Sequence, residues 1–506
     1  MSVGDRGLSH MRGGRLPHNA MPDSPNILFI CADQHSFRYT GYAGHPMVQT
    51  PNLDSIARRG VTMTNAYCGS PVCVPGRASM MTGLYAHETN SFCNSTVWDG
   101  SQPTWGTRLR EAGYDCYATG KLDLNDDFDL GFKETDTKNG HHTNPDITSL
   151  FRNPLIYRAD ERSQVDGSPR AARHHDADLA GTAVDFIDNT STTLDRPWAY
   201  YVGFSLPHPR FSALEKYWDL YPPEQVDLPS VTDEDLDNLH DVYKGLRYFK
   251  QLTVPVAEER VRRARAAYYG MITELDEYVG WLLDALDRTG QLENTLVVYT
   301  SDHGETLGAH GLWSKNNMYE DSVHVPMLMA GPGLPPGLAV DTPVGHVDIV
   351  ATMLEVAGAE RPSGLRGISL LRLINGDGVI HPGFAYSECH CSGNLTGTFM
   401  VRRGDWKYVH FTWYDGLLFN LADDPGELVN RFADPEASGV LKEMQQILHD
   451  EVDPEEVTRR AFDTQARILD EIVEGKTEPE LVRVLEGRLG SGQARAVAAR
   501  VMSPTA

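Results

Sequence analysis

Cysteine is scarce in this chain, with seven residues in 506, at positions 31, 68, 73, 93, 116, 389 and 391. Their odd number and irregular spacing argue against a disulfide framework and for reduced thiols in a cytoplasm. Long apolar runs are missing too, so no segment reads as a membrane span. Basic residues are short, since 45 Lys and Arg against 70 Asp and Glu leave a net charge of −25. Such a field repels nucleic acid and an anionic membrane surface. It does not exclude a small anionic substrate, which feels the local field of its pocket. Residues 1–25 are polar and rich in Gly and Pro with no apolar h-region, so a disordered leader is expected there and not a signal peptide. Internal repeats are absent.

What is present is ordinary globular material, 41% hydrophobic and 23% charged, enough for one large core with a smaller addition. Asn26–Ala32 (NILFICA), Trp198–Leu206 (WAYYVGFSL), Leu296–Thr300 (LVVYT) and Met327–Ala330 read as buried strands. Pro51–Arg59 and the long 3.6-period pattern Arg260–Arg288 read as helices. Alternation of strand and helix predicts an α/β fold, a large mostly parallel sheet flanked by helices, with ligands bound beyond the strands' carboxyl ends. Phe399–Val409 and Leu417–Asn420 suggest a small C-terminal antiparallel sheet. The charged helical pattern Ala437–Val501, broken at Gly490 and Gly492, suggests a helical tail suited to self-association into a homo-oligomer. The expected divisions are a catalytic domain over 26–382, the antiparallel subdomain over 383–435 and the tail over 436–506.

The chemistry concentrates in three places. Ser70–Gly83 (SPVCVPGRASMMTG) sets Cys73 at the mouth of a helix, with Pro75 in its first turn and Arg77 adding a planar cationic fork. A phosphatase loop would need five residues between Cys and Arg, and here there are three. Asp33 and Gln34 close the first strand, and Asp302 and His303 close a later one. Two carboxylates, an amide oxygen and an imidazole suit a hard divalent cation, Ca²⁺ or Mn²⁺. His141–His142 and His174–His175 read as surface loops, and Glu388-Cys389-His390-Cys391 lacks the second ligand pair of a zinc site.

C-x-P-x-R followed by A-S-x-x-T-G, an early strand ending in Asp, and a late one ending in S-D-H-G-E together resemble the type I sulfatases of the alkaline-phosphatase-like superfamily. T-G-K at Thr119–Lys121, L-P-H-P at Leu206–Pro209, Leu312–Gly333 and W-K-Y-V at Trp406–Val409 continue the likeness from about Asn26 to Asn430. Gly120–Asp123, LPHP and YSECHCSGN are similar to the arylsulfatase K branch, glucuronate-2-sulfatases. The Asp33-Gln34 pair is instead similar to choline sulfatases and phosphonate monoester hydrolases.

The resemblance implies that a formylglycine-generating enzyme oxidises Cys73 to Cα-formylglycine (3-oxoalanine). Its hydrate, bound to a metal held by Asp33, Gln34, Asp302 and His303, attacks the sulfur of a sulfate monoester and then expels sulfate. It gives Arg77 the diol, Lys121 and Lys315 the sulfate oxygens, and His208 the sulfate or the leaving oxygen. Asp123, which stands where most sulfatases have His, joins His390 and His87 as candidate substrate contacts. Two other readings use the same residues: a phosphonate monoester or phosphodiester hydrolase, and a silent binding protein that keeps Cys73 as a thiol.

Overall fold

The computed structural model describes residues 24–138, 146–152, 156–158, 161–376, 381–391 and 393–502. Most of the expected leader and the His141–His142 pair lie outside them. The large sheet contains Asn26–Ala32 (β1), Val61–Met63 (β2), Asp115–Lys121 (β3), Lys133–Lys138 (β4), Trp198–Gly203 (β5), Thr295–Ser301 (β6), Met327–Ala330 (β7) and Leu338–Val340 (β8). Their order is β8-β2-β7-β6-β1-β5-β3-β4. Only β7 runs antiparallel to its neighbours β6 and β2.

Along β1, Ile27, Phe29 and Cys31 enter one core while Leu28, Ile30 and Ala32 enter the other. Burial on both faces is why the strand reads as an unbroken apolar run. Cys31 pairs with Gly203 of β5 on one side and Thr300 of β6 on the other, so three carboxyl ends finish level. The connection after β1 runs to β2 on one side of the sheet and that after β3 runs to β4 at the opposite edge, so the direction of travel reverses across these carboxyl ends, a topological switch point.

The helices that cover the sheet follow their sequence signals. Pro51–Arg59 (α1) starts on Pro, buries Leu53 and Ile56, and carries Asp54 in its first turn and Arg58 and Arg59 in its last, matching the helix dipole. Cys73–Thr82 (α2) is buried throughout. Asp176–Asp185 (α3) and Glu258–Arg288 (α4) lie against one face, α4 burying Leu275, Val279, Leu282 and Leu286 along one stripe. β5 stops at Gly203, short of the expected Leu206, for a specific reason. The Ser205 and Leu206 amides donate to Asp176 Oδ2 at 2.8 and 2.7 Å, which ends the ladder and turns the chain toward His208.

Phe384–Cys389 (β9), Thr398–Arg403 (β10), Trp406–Phe411 (β11) and Leu417–Asn420 (β12) form the antiparallel sheet in that order. Ser438–Glu451 (α5) covers it with Met444 and Leu448. Three more helices follow, and Gly490 ends one of them with φ 73°. Gly492 is not a break. It sits inside Ser491–Met502, where burial of Ala494, Val497 and Ala498 outweighs the roughly 1 kcal/mol cost of a helical glycine.

A buried charge cluster locks this sheet to the catalytic face. Lys407 Nζ lies 2.9 Å from Glu320 Oε1 and 2.8 Å from Glu427 Oε1, and His324 Nδ1 lies 3.0 Å from Glu320 Oε2. Burial pushes Glu427 up to about 7, while Lys407 and His324 hold Glu320 well below the usual carboxylate range against its own burial. A carboxyl raised in the fold binds its proton more tightly there than in the unfolded chain. Its contribution to stability therefore falls as pH rises from about 4.3 to about 7. In Glu427→Gln that downward slope is expected to flatten, read as thermal midpoints measured across this window.

Candidate active site

The switch point gathers side chains from four segments. β1 ends in Asp33 and Gln34, β6 in Asp302 and His303, α2 begins on Cys73, and β3 ends in Lys121. Lys315 reaches in from the segment after β6. Cys73 occupies the first turn of α2 behind extended Val72, with Arg77 one turn on. Gly76 lets α2 approach β6, since a Cβ there would lie 3.1 Å from the Asp302 carbonyl oxygen.

Arg77 is fully buried and hydrogen-bonds through Nε and Nη1. Nε donates to Asp302 Oδ2 at 3.0 Å, and Nη1 donates to the Lys121 carbonyl at 2.5 Å and to Tyr201 Oη at 2.9 Å. Nη2 stands 3.7 Å from Asp33 Oδ2. Lys121 Nζ pairs closely with Asp33 and lies 3.2 Å from Asp123 Oδ2. Lys315 Nζ is 2.9 Å from both Cys73 Sγ and Gln34 Oε1. Burial would raise Asp33, but Lys121, His208, Lys315 and Arg77 hold it well below the carboxylate range. Burial would lower both lysines, yet the anions around them keep them raised and charged.

His303 Nδ1 lies 3.0 Å from the Gly304 carbonyl, which can only accept, so Nδ1 carries the proton. Its Nε2 lone pair therefore faces Cys73 Sγ at 3.4 Å, Asp302 Oδ1 at 3.6 Å and Asp33 Oδ1 at 3.7 Å. These four donor atoms all lie within 4.8 Å of one another. Burial and Lys315 bring His303 down to about 4, which keeps it neutral as a ligand must be. The His303 lone pair and the Asp33 and Asp302 carboxylates converge in a way that fits a divalent cation, and the predominance of oxygen fits a hard one.

His208 donates from Nδ1 to the Pro209 carbonyl at 2.6 Å, and burial with Lys315 brings it down to about 3. The sequence-derived set Asp33, Gln34, Cys73, Arg77, Lys121, Asp123, His208, Asp302, His303 and Lys315 is thus brought together. His87 and His390 are not part of it. They sit 2.9 and 3.0 Å from the two oxygens of buried Glu388.

Several contributors escaped sequence reasoning. Tyr201 reads as a core strand residue but braces Arg77 and donates to the Lys121 carbonyl at 3.1 Å. Glu305 belongs to the S-D-H-G-E motif, yet its role appears only in the fold. It takes Gln34 Nε2 and the Leu307 amide at 2.8 Å, which turns Gln34 Oε1 toward Lys315. Glu161, with Arg158 at 3.2 Å and Lys250 at 3.8 Å, stands beside Lys315 and His208. Against its burial, Arg158, Lys250 and Lys315 bring Glu161 down to about 2.

The T-G-K signal has a steric basis. Gly120 holds φ 81°, and a Cβ there would meet the Gly203 carbonyl at 2.1 Å. Gly120→Ala is expected to push β3 from β5, costing about 1–3 kcal/mol in a denaturant titration and displacing Lys121.

A mostly parallel sheet with an anion- and cation-binding cluster at its switch point defines an alkaline-phosphatase-like hydrolase. The sulfatase family profile matches residues 25–359, and a profile for the C-terminal part of N-sulphoglucosamine sulphohydrolase matches 308–453. Arylsulfatase K of Danio rerio is 34% identical over 437 residues, 81% of this chain and 80% of that one. Choline-sulfatase of Rhizobium meliloti is 33% identical over 431 residues, covering 81% and 83%. Among solved structures, the phosphonate monoester hydrolase of Agrobacterium radiobacter superposes with a TM-score of 0.71 at 26% identity, covering 84% of this chain and 95% of that one. A 2-O GAG sulfatase gives 0.68 at 26%, covering 88% and 94%. The chain belongs to the sulfatase family and is a sulfuric ester hydrolase. No helix among the described residues is long and apolar enough to cross a membrane.

Proposed function

We propose that this enzyme hydrolyses a sulfate monoester carried on a uronate or another carbohydrate, using Cys73 after its oxidation to formylglycine by a formylglycine-generating enzyme. The observation that carries this reading is the position of Cys73 Sγ, 2.9 Å from Lys315 Nζ and 3.4 Å from His303 Nε2 at the start of α2. A nucleophile there has cations and a helix N-terminus around it.

Asp33, Gln34, Asp302 and His303 would hold Ca²⁺, which would polarise the sulfate and acidify a hydroxyl at position 73. Lys121 and Lys315 would neutralise the sulfate oxygens, and Arg77 would fix the hydrate while clamping Asp302 and Asp33. Asp123 would keep Lys121 oriented. Arg158, Lys250 and Glu161, next to Lys315, would meet the alcohol part, and their paired cations suit a carboxylate-bearing sugar. The seven unbridged thiols support a reducing compartment.

His208 has its proton on Nδ1, so its Nε2 can only accept until the substrate's charge arrives. Sulfate bound between two lysines would raise His208, letting it pass a proton to the leaving oxygen. His208→Ala is therefore expected to cost about 10²–10⁴-fold in kcat on an alkyl sulfate and far less on nitrophenyl sulfate, whose leaving group needs no proton. Equal losses on both would remove the proton-transfer role.

The Asp33-Gln34 pair also supports a second reading, a phosphonate monoester or phosphodiester hydrolase, in keeping with the solved relative of that name. Steady-state kcat/KM on an aryl sulfate, a phosphonate monoester and a phosphodiester separates them. A preference for sulfate is expected, and a large preference for phosphorus would overturn it.

A further inference from the structure

Outside the catalytic cluster, the described residues bring together one other group of metal-ligating side chains, His174, His175 and Asp176 at the start of α3. Asp176 is fully buried, and its Oδ2 is used by the Ser205 and Leu206 amides. Its Oδ1 is buried too but takes no hydrogen bond. That oxygen instead faces His174 Nδ1 at 3.4 Å and His175 Nε2 at 3.2 Å. His174 Nδ1 takes a long hydrogen bond of 3.3 Å from the Asp176 amide, so this nitrogen is the unprotonated one, and an ion bound there would replace that weak bond. Ser205 Oγ lies 3.1 Å from His175 Nε2.

A carboxylate oxygen facing two imidazole nitrogens at these distances is held there by a proton or by a cation between them. The spacing suits a cation. Ligands about 2.0–2.1 Å from a tetrahedral ion stand about 3.3–3.4 Å apart. We propose that His174 Nδ1, His175 Nε2 and Asp176 Oδ1 form a second metal site, with Ser205 Oγ or water completing it. Two imidazoles and one carboxylate select zinc or a neighbouring borderline ion, in contrast to the oxygen-rich catalytic cluster. His175 is 43% exposed, so an ion can enter from solvent.

The site has a consequence for the reaction. Asp176 and Ser205 hold the turn between β5 and His208, and an ion there ties the start of α3 to that turn. Zinc is therefore expected to raise the thermal midpoint of the calcium-loaded enzyme.

The test is equilibrium dialysis of calcium-saturated protein against zinc, paired with visible absorption after cobalt substitution. One zinc per chain beyond the catalytic metal is expected, with the absorption of a tetrahedral cobalt site. His175→Ala and His174→Ala should each lose that zinc and its thermal shift, and Asp302→Asn should keep both. Half-exposed His175 supports no core, so its variant reads binding and not folding. Absence of the extra zinc, or wild-type binding in both histidine variants, would mean that a proton shared between His174 and Asp176 satisfies the contact, and would overturn the site. Loss of the zinc in Asp302→Asn alone would assign it to the catalytic cluster and overturn the site equally.

Discussion

Cys73→Ala will lose sulfatase turnover by about 10⁴-fold or more, the scale on which removal of a nucleophile acts, while keeping its fold. The position tolerates alanine sterically, because Cys73 lies at the first turn of α2 and the smaller side chain removes only its thiol, which meets Lys315, His303 and Asp33. Loss of activity with an unchanged thermal midpoint is the expected pair of results. Mass spectrometry of the wild-type Cys73 peptide separates the two chemistries that the residue could supply. An aldehyde in that peptide is expected, and a thiol in fully active enzyme would sink the formylglycine reading. Asp302→Asn is a useful comparator because it alters the cluster without touching residue 73.

Arg77 is expected to give the largest change in stability. Its buried guanidinium joins Asp302, Asp33, Tyr201 and the Lys121 carbonyl. Arg77→Met would leave two neighbouring carboxylates in the interior without that cation. Breaking a buried pair from one side costs about 3–5 kcal/mol, and urea titration of the metal-free protein reads it directly. Arg77→Lys keeps the charge but loses the planar fork, so an intermediate loss is expected. A wild-type midpoint in Arg77→Met would show that the carboxylates relax toward other partners, and would refute the clamp.

The sequence displayed what lies at the ends of strands. Asp33, Gln34, Asp302 and His303 follow apolar runs, so their place at the carboxyl edge of the sheet could be read before any contact was known. Long-range pairing was hidden. Glu305 meets Gln34 and Tyr201 meets Arg77 only because strands distant in sequence lie side by side, and no local pattern encodes that. His87 and His390 each look like pocket residues in their loops, and both hydrogen-bond to buried Glu388, a partner that no local pattern announces. Lys250 is buried next to Glu161, which no local pattern announces. The early end of β5 was hidden for the same reason, since the amides of Ser205 and Leu206 are claimed by Asp176 from another segment.

The burial of Cys73 also sets a schedule. Its thiol is covered by His303 and Lys315, which follow it by 230 and 242 residues. At about 5–20 residues per second of synthesis, those residues emerge roughly 10–50 s after Cys73 does. During that interval the segment SPVCVPGRA has no β6 to pack against and is open to another protein. Once β6 joins the sheet, the thiol is enclosed. On the formylglycine reading, the enzyme that converts Cys73 would work against the clock of translation, and the yield of active protein would depend on how fast the chain is made.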